Sequence, residues 1–166
     1  MAEKKKPNVE VTEDSVVVDL EPEVVEGPPQ GMQKMYLSGP MTGVENFNHV
    51  TFHRIAAEFR MAGFEVCSPA EFFDGDTTKE RKDYMREAFT YLLEADTIVL
   101  LPGWQESEGA RIEAAMAKEL DLIIVEYVEN EEAAQGFHQY VGSLTPVDED
   151  GNPLESDLGT FKAVSE

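Results

Sequence analysis

Cysteine is almost missing from this 166-residue chain. Cys67 is the only one, which rules out an intrachain disulfide and a cysteine-built metal cage. Cations are also scarce: 13 Lys plus Arg stand against 34 Asp plus Glu, a formal charge of −21. Duplex binding needs Lys and Arg to neutralise phosphates, so a surface this acidic argues against nucleic acid and anionic membranes as partners. No apolar run is long enough to span a bilayer. The opening "MAEKKKPNVEVTEDS" is basic at its start but has no apolar h-region, so it is expected not to be a secretory signal. No G-x-G-x-x-G follows the first apolar run, which disfavours a dinucleotide-binding Rossmann domain. The expectation is a soluble, cytoplasmic, acidic protein.

The chain divides by composition into three parts. Residues 1–32 are acidic, proline-bearing and free of aromatics, and are expected to form a flexible arm. Its "SVVVDL" has the pattern of an edge strand. Residues 129–166 are polar and rich in turn formers, and are expected to be a partly irregular, loosely held extension. Between them, residues 33–128 alternate regularly. The apolar runs "KMYLS" (34–38), "FEVCSP" (64–69), "DTIVLLPG" (96–103) and "LDLIIVEY" (120–127) read as buried strands.

Helical spacing separates these runs. Phe52, Ile55, Ala56 and Phe59 mark a helix over 48–63, with Asn48 as its N-cap candidate and Gly63 at its left-handed end. Tyr84, Ala88, Tyr91 and Leu92 mark a second over 79–95. A third follows Gly103. The order β-α-β-α-β-α-β with near-continuous apolar strands predicts a small doubly wound parallel sheet, flavodoxin- or Rossmann-like, with helices on both faces. Ligands of such sheets bind beyond the carboxyl ends of the strands. That selects the loops 38–48, 68–78 and 102–109.

The third helix carries an anomaly. At about 100° per residue, Gly109, Ile112, Met116, Ala117 and Leu120 form an apolar stripe, and Glu113 falls in its middle. Helical side chains lean toward the N-terminus, so the Glu113 carboxylate should lie over Gly109, where no Cβ fills the space. Ser107 is the N-cap candidate of the same helix. Ser-x-Gly-x-x-x-Glu therefore combines donors, a gap and a partly desolvated carboxylate. That set suits a nucleophile toward an electrophilic carbon. The plainer alternative is a rim glutamate reaching water or pairing with Arg60 or Arg86.

These segments, "MYLSGPMTG", "AAEFRMAGFEVCSPAEF" and "LLEADTIVLLPGWQESEGARIEAAMAKEL", resemble the nucleoside 2-deoxyribosyltransferase superfamily, which includes the 2'-deoxynucleoside 5'-monophosphate N-hydrolases. The likeness is to a compact, bacteriophage-type branch and covers about residues 34–126. It implies that Glu113 attacks C1' of a deoxyribose and that the Tyr36 hydroxyl orients it. It implies substrate contacts from Ser38, Gly39, Thr42 and Gly43. Ser107 stands where nucleoside-using members have Asp and the monophosphate hydrolases have Ser. A neutral donor at a helix N-terminus admits a phosphate that an Asp would repel. The resemblance further implies a metal-free, cofactor-free enzyme, a homodimer or higher oligomer, and the host cytoplasm if phage-encoded.

One position departs from that pattern. Eight residues before Asp96, where members carry an acid, this chain has Ala88. Glu87 and Asp83 are near but on other helical faces, and Asp74 or Asp76 could substitute from the neighbouring loop. Protonating the leaving base contributes roughly 10²–10⁴-fold, so a nucleotide-binding module with little or no catalysis is the alternative. Trp104 either stacks on a base or caps the core. His49 and His53 lie one turn apart without further metal ligands, so no metal site is expected. Arg54, Arg60 and Arg86 are candidate phosphate partners, with surface solvation the plainer role of each.

Overall fold

The computed structural model of the chain describes residues 33–129, 140–154 and 161–164. The arm at 1–32, with its "SVVVDL" segment, lies outside the described residues. The elements are β1 (Lys34–Ser38), α1 (His49–Met61), β2 (Glu65–Cys67), α2 (Arg81–Leu92), β3 (Thr97–Leu100), α3 (Glu108–Glu119), β4 (Ile123–Glu129), β5 (Tyr140–Pro146) and β6 (Phe161–Val164). They form a sheet in the order β2-β1-β3-β4-β5-β6, in which the first four strands are mutually parallel.

Alternation along β1 builds both faces of the sheet. Met35 and Leu37 point to one side, where Phe52, Ile55, Ala56 and Phe59 of α1 bury against Val99, Leu101 and Val125. Tyr36 points to the other, with Ile98, Leu100 and Ile124, under Ala88 and Leu92 of α2 and Ala110, Ala114 and Ala117 of α3. Every β3 residue is buried, as a central parallel strand requires. Gly63, at φ 92°, ends α1 in the left-handed region that glycine occupies without cost.

Three expectations change. The buried stripe of α3 is Ala110, Glu113, Ala114 and Ala117, one residue away from the Ile112–Met116 line, and Ile112 is 39 % exposed. Alanines let the helix approach the sheet closely, so the small face packs inward and the bulkier residues stay at its margin. Asn48 stands at the N-cap position of α1 as expected but makes no side-chain capping bond; it sits at φ 59° and its Nδ2 donates to the Pro40 carbonyl at 3.0 Å. The extension after β4 contributes order as well: β5 pairs antiparallel with β4, and β6 with β5. Leu144 and Val147 bury against opposite faces of the sheet, which anchors this addition. Among the described residues, no helix is long and apolar enough to cross a membrane.

Candidate functional site

β1 lies between β2 and β3, so its chain leaves into α1 on one face while β3 leaves into α3 on the other. That divergence is the topological switch point where open α/β sheets bind ligands. A cavity of about 230 Å³ occupies it. Its walls come from the first loop (Gly39, Met41, Thr42, Phe47), α1 (His49), the second loop (Pro69, Phe72, Thr77, Lys79), α2 (Arg81, Tyr84, Met85, Ala88) and α3 (Ser107, Gly109, Ala110, Glu113), with Tyr36 beneath.

Glu113 is 8 % exposed, and both of its oxygens are held from β1. Tyr36 Oη donates to Oε1 at 3.0 Å, and Ser38 Oγ donates to Oε2 at 2.5 Å. The second lies at the short end for a hydroxyl on a carboxylate. Tyr36 and Ser38 are two apart on one strand and therefore share the face that α3 covers. Burial pushes Glu113 up from 4.5 to about 7, against the pull of the Ser38 and Tyr36 bonds and the Arg81 charge. Tyr36 is driven well above its ordinary value, first by burial and then by the Glu113 charge. It thus remains a phenol that donates. The carboxyl exchanges its proton near neutrality while two donors fix its orientation.

The other anticipated residues divide. Gly39, Thr42, Ser107 and Gly109 line the cavity with Tyr36 and Glu113. Ser38 meets it through its bond to Glu113. Ser107 caps α3, its Oγ accepting from Ala110 N at 3.3 Å. A Cβ at Gly109 would meet only Met85 Sδ at 3.8 Å and Ser107 Oγ at 3.9 Å, so this glycine leaves open volume beside Glu113. At Gly39 a Cβ would stand 2.8 Å from Leu101 Cβ, so the first loop lies against Leu101, just past β3, only because no side chain intervenes. Gly43 is a turn residue at φ 84° outside the cavity wall.

Trp104 does not face the cavity. It is buried, donates from Nε1 to Glu126 Oε1 at 2.6 Å, and packs where a Gly151 Cβ would come within 3.0 Å of its ring. It caps the core, and the base-stacking alternative is set aside. Arg60 is taken by Glu71, Arg86 by Asp83, and Arg54 by Glu58 and Glu129. None of the three reaches the cavity, and neither Arg60 nor Arg86 pairs with Glu113. The cations that do line it, Lys79 and Arg81, were not singled out in sequence. Their signal was "TTKERK", a basic cluster in an acidic chain at the entrance to α2.

Ala88 lines the cavity at the position where the resemblance implies an acid. Glu87 faces a separate groove beside Cys67 and Tyr91, and Asp83 pairs with Arg86. Asp74 faces the same separate groove as Glu87, and Asp76 accepts from Thr78 N and Oγ1. Among the described residues, Glu113 is the sole carboxylate lining the cavity. His53 lies 3.9 Å from Glu71, and its ring meets that of His49 edge-on at 5.8 Å. No group of three or more His, Cys, Asp or Glu suited to a metal occurs among the described residues.

A family model described as a domain of unknown function (DUF4406) matches residues 33–126. No curated protein matches the chain. Among solved structures, a 2-deoxyribosyltransferase from the psychrotolerant bacterium Bacillus psychrosaccharolyticus is similar at 19 % identity. The match covers 64 % of this chain and 84 % of that one, with a TM-score of 0.44.

Proposed function

The chain belongs to the DUF4406 family, a domain of unknown function, and from its site we propose that it cleaves or transfers the N-glycosidic bond of a 2'-deoxynucleoside, preferentially as the 5'-monophosphate. The observation that carries this reading is Glu113: the lone cavity carboxylate among the described residues, buried, doubly held, and pushed up to about 7. A carboxylate oriented by two donors and stripped of water is a prepared nucleophile. One Glu113 oxygen attacks C1' of the sugar. The C1'–N bond breaks, its electron pair leaves with the base, and a glycosyl ester remains on Glu113. Water or a second base then attacks C1' from the vacated side and returns the carboxylate.

The monophosphate preference is supported from the α2–α3 side of the cavity. Arg81 opens α2, Lys79 lies just before it, and Ser107 with Gly109 presents the positive end of α3. Lys79 is paired with Asp76 at 3.7 Å and Arg81 with Glu108 at 3.2 Å, so an incoming phosphate would compete with these exposed carboxylates for the two cations and would also meet the helix N-terminus, in a chain of charge −21. With phosphate there and C1' at Glu113, the base extends toward the first loop and Phe72.

Ala88 favours a second reading, a nucleotide-binding module with little turnover. A panel of deoxynucleosides and their 5'-monophosphates, incubated with and without a second free base and followed by chromatography, separates the two. Base release or exchange that disappears in Glu113→Gln supports glycosyl transfer. Binding by both proteins with no turnover by either supports the module, and neither binding nor turnover overturns both.

A further inference from the structure

A base whose sugar sits at Glu113 gains most from a flat apolar surface to lie on, since proteins hold unstacked bases largely by aromatic faces. The aromatic side chains that line the cavity are Tyr36, Phe47, Phe72 and Tyr84, with the imidazole of His49. Most are already committed. Tyr36 is fully buried and donates to Glu113. Phe72 is 5 % exposed and stacks on Tyr91, with ring centroids 5.2 Å apart and planes at 13°. Tyr84 donates to the Asp76 carbonyl at 2.6 Å and packs T-shaped against Phe73. His49 is enclosed at Nε2, which has no hydrogen-bond partner among the described residues. Phe47 differs from all of these: it lines the cavity and is 43 % exposed.

An apolar side chain exposed by itself is ordinary on a protein surface. Phe47 is set apart by its backbone as well as by its place. Asn46, Phe47 and Asn48 take φ values of 49°, 50° and 59°. A bulky residue in the left-handed region is an outlier that the surrounding structure must hold in place. Hydrogen bonds within the first loop do so. Val44 N donates to the Met41 carbonyl at 3.2 Å, Phe47 N to the Val44 carbonyl at 3.1 Å, and Asn48 Nδ2 to the Pro40 carbonyl at 3.0 Å. The loop thus fixes a ring that it does not bury. A group fixed in advance loses little freedom when a ligand comes to lie on it.

The rest of the wall decides how a base is read. Met41 and Thr42 of the first loop and Pro69 and Phe72 of the second line the cavity with Phe47. Among the described residues no Asn, Gln or Asp lines it, and its one carboxylate, Glu113, is held down on the sheet by Tyr36 and Ser38. Amide and carboxylate side chains are the usual readers of base edges. A wall without them gives a base a face to lie on and little that tells one edge from another. Apolar pockets of this kind discriminate weakly, whereas sites built to hydrogen-bond a substrate group reject its analogues strongly.

Resting on the reading of the cavity as a nucleotide site, whether or not the nucleotide is turned over, we propose that Phe47 is the platform on which the base stacks, and that the site accepts bases by their face rather than by their edge. The phosphate then lies toward Arg81 and Ser107, C1' at Glu113, and the base over Phe47. Every base presents a π face, so the platform serves purines and pyrimidines alike. Phe47 fills the stacking role that Trp104, packed into the core, does not.

The test sets nucleotides against a ligand that has no base. Calorimetry in the Glu113→Gln parent, chosen to prevent turnover, measures the 5'-monophosphates of deoxyadenosine, deoxyguanosine, deoxycytidine and thymidine, and 2-deoxyribose 5-phosphate. Adding Phe47→Ala is expected to weaken every nucleotide by about tenfold or more, the scale of one base–aromatic stack, and the sugar phosphate by less than about twofold. Phe47→Tyr, which keeps the ring, is expected to bind as the parent does. Phe47→Leu, which keeps apolar bulk without a ring, is expected to lose most of what Phe47→Ala loses. The nucleotides should bind the parent within about 100-fold of one another, the range of a pocket that does not read edges. Equal weakening of nucleotides and sugar phosphate would make Phe47 a mere support of the loop and overturn the proposal, as would no weakening of either, or a parent that binds the sugar phosphate as tightly as the nucleotides. A wider spread among the bases would overturn recognition by face. A parent that binds neither class of ligand would instead bring down the nucleotide-site reading, and this inference with it.

Discussion

Replacing Glu113 by Gln should abolish turnover and, above neutral pH, make the protein more stable. Folding raises this carboxyl from 4.5 to about 7 because burial disfavours its charge more than Ser38 and Tyr36 favour it. A carboxyl raised on folding binds more protons in the folded state than in the unfolded one, so stability falls as pH rises. Its contribution is fully present below about 4.5 and is lost by the time the pH has passed about 7. At pH 8 the cost to the wild-type protein is about 3 kcal/mol, and at pH 5 it is under about 1 kcal/mol. Glutamine fills the same volume, accepts from one hydroxyl, donates to the other, and titrates nowhere in this range. The difference in unfolding free energy between Glu113→Gln and wild type should therefore move by about 2 kcal/mol in favour of the variant between pH 5 and pH 8. Urea unfolding of both proteins at the two pH values measures it, since every other titrating group is common to both and cancels. An unchanged difference, or one that moves against the variant, would refute the claim that Glu113 is held buried at a thermodynamic cost.

Three further perturbations probe the same geometry. Tyr36→Phe removes a donor to the carboxylate, so Glu113 rises further and the acid limb of kcat/KM moves to higher pH; a pH–rate profile reads it. Arg81→Ala should weaken binding of a deoxynucleoside 5'-monophosphate by about tenfold while leaving the unphosphorylated nucleoside little changed, as calorimetry on the pair would register. Trp104→Phe deletes the bond to Glu126 and should cost about 1–2 kcal/mol in urea unfolding with KM unchanged, because the indole caps the core and does not face the cavity.

How far the sequence could be read depended on which physical signal each part carries. β1 was legible because "KMYLS" is a short apolar run closed by Gly-Pro, and its alternation places Tyr36 and Ser38 on one face. Glu113 stood out because a carboxylate in an apolar stripe demands an explanation. The stripe itself was misplaced by one residue, because hydrophobicity weights Ile112 and Met116 above the alanines that pack closest to the sheet. Asn48 looks like a helix cap by residue type, yet its side chain serves the loop by bonding Pro40, a long-range choice that local pattern does not contain. β5 and β6 draw their order from pairing with β4 and with each other, so a polar, turn-rich stretch hid them. Lys79 and Arg81 reach the cavity only through the crossover from β2 to α2. His49 looked like half of an incomplete metal pair, and its unpaired nitrogen is visible only in three dimensions.

The most direct measurement of the central claim is the mass of the peptide bearing Glu113 after brief incubation with a deoxynucleoside 5'-monophosphate and acid quench. The expected result is an added deoxyribose 5-phosphate on Glu113, released by water or by a second base and absent from Glu113→Gln. Base release without any such adduct, or an adduct on another residue, would contradict it.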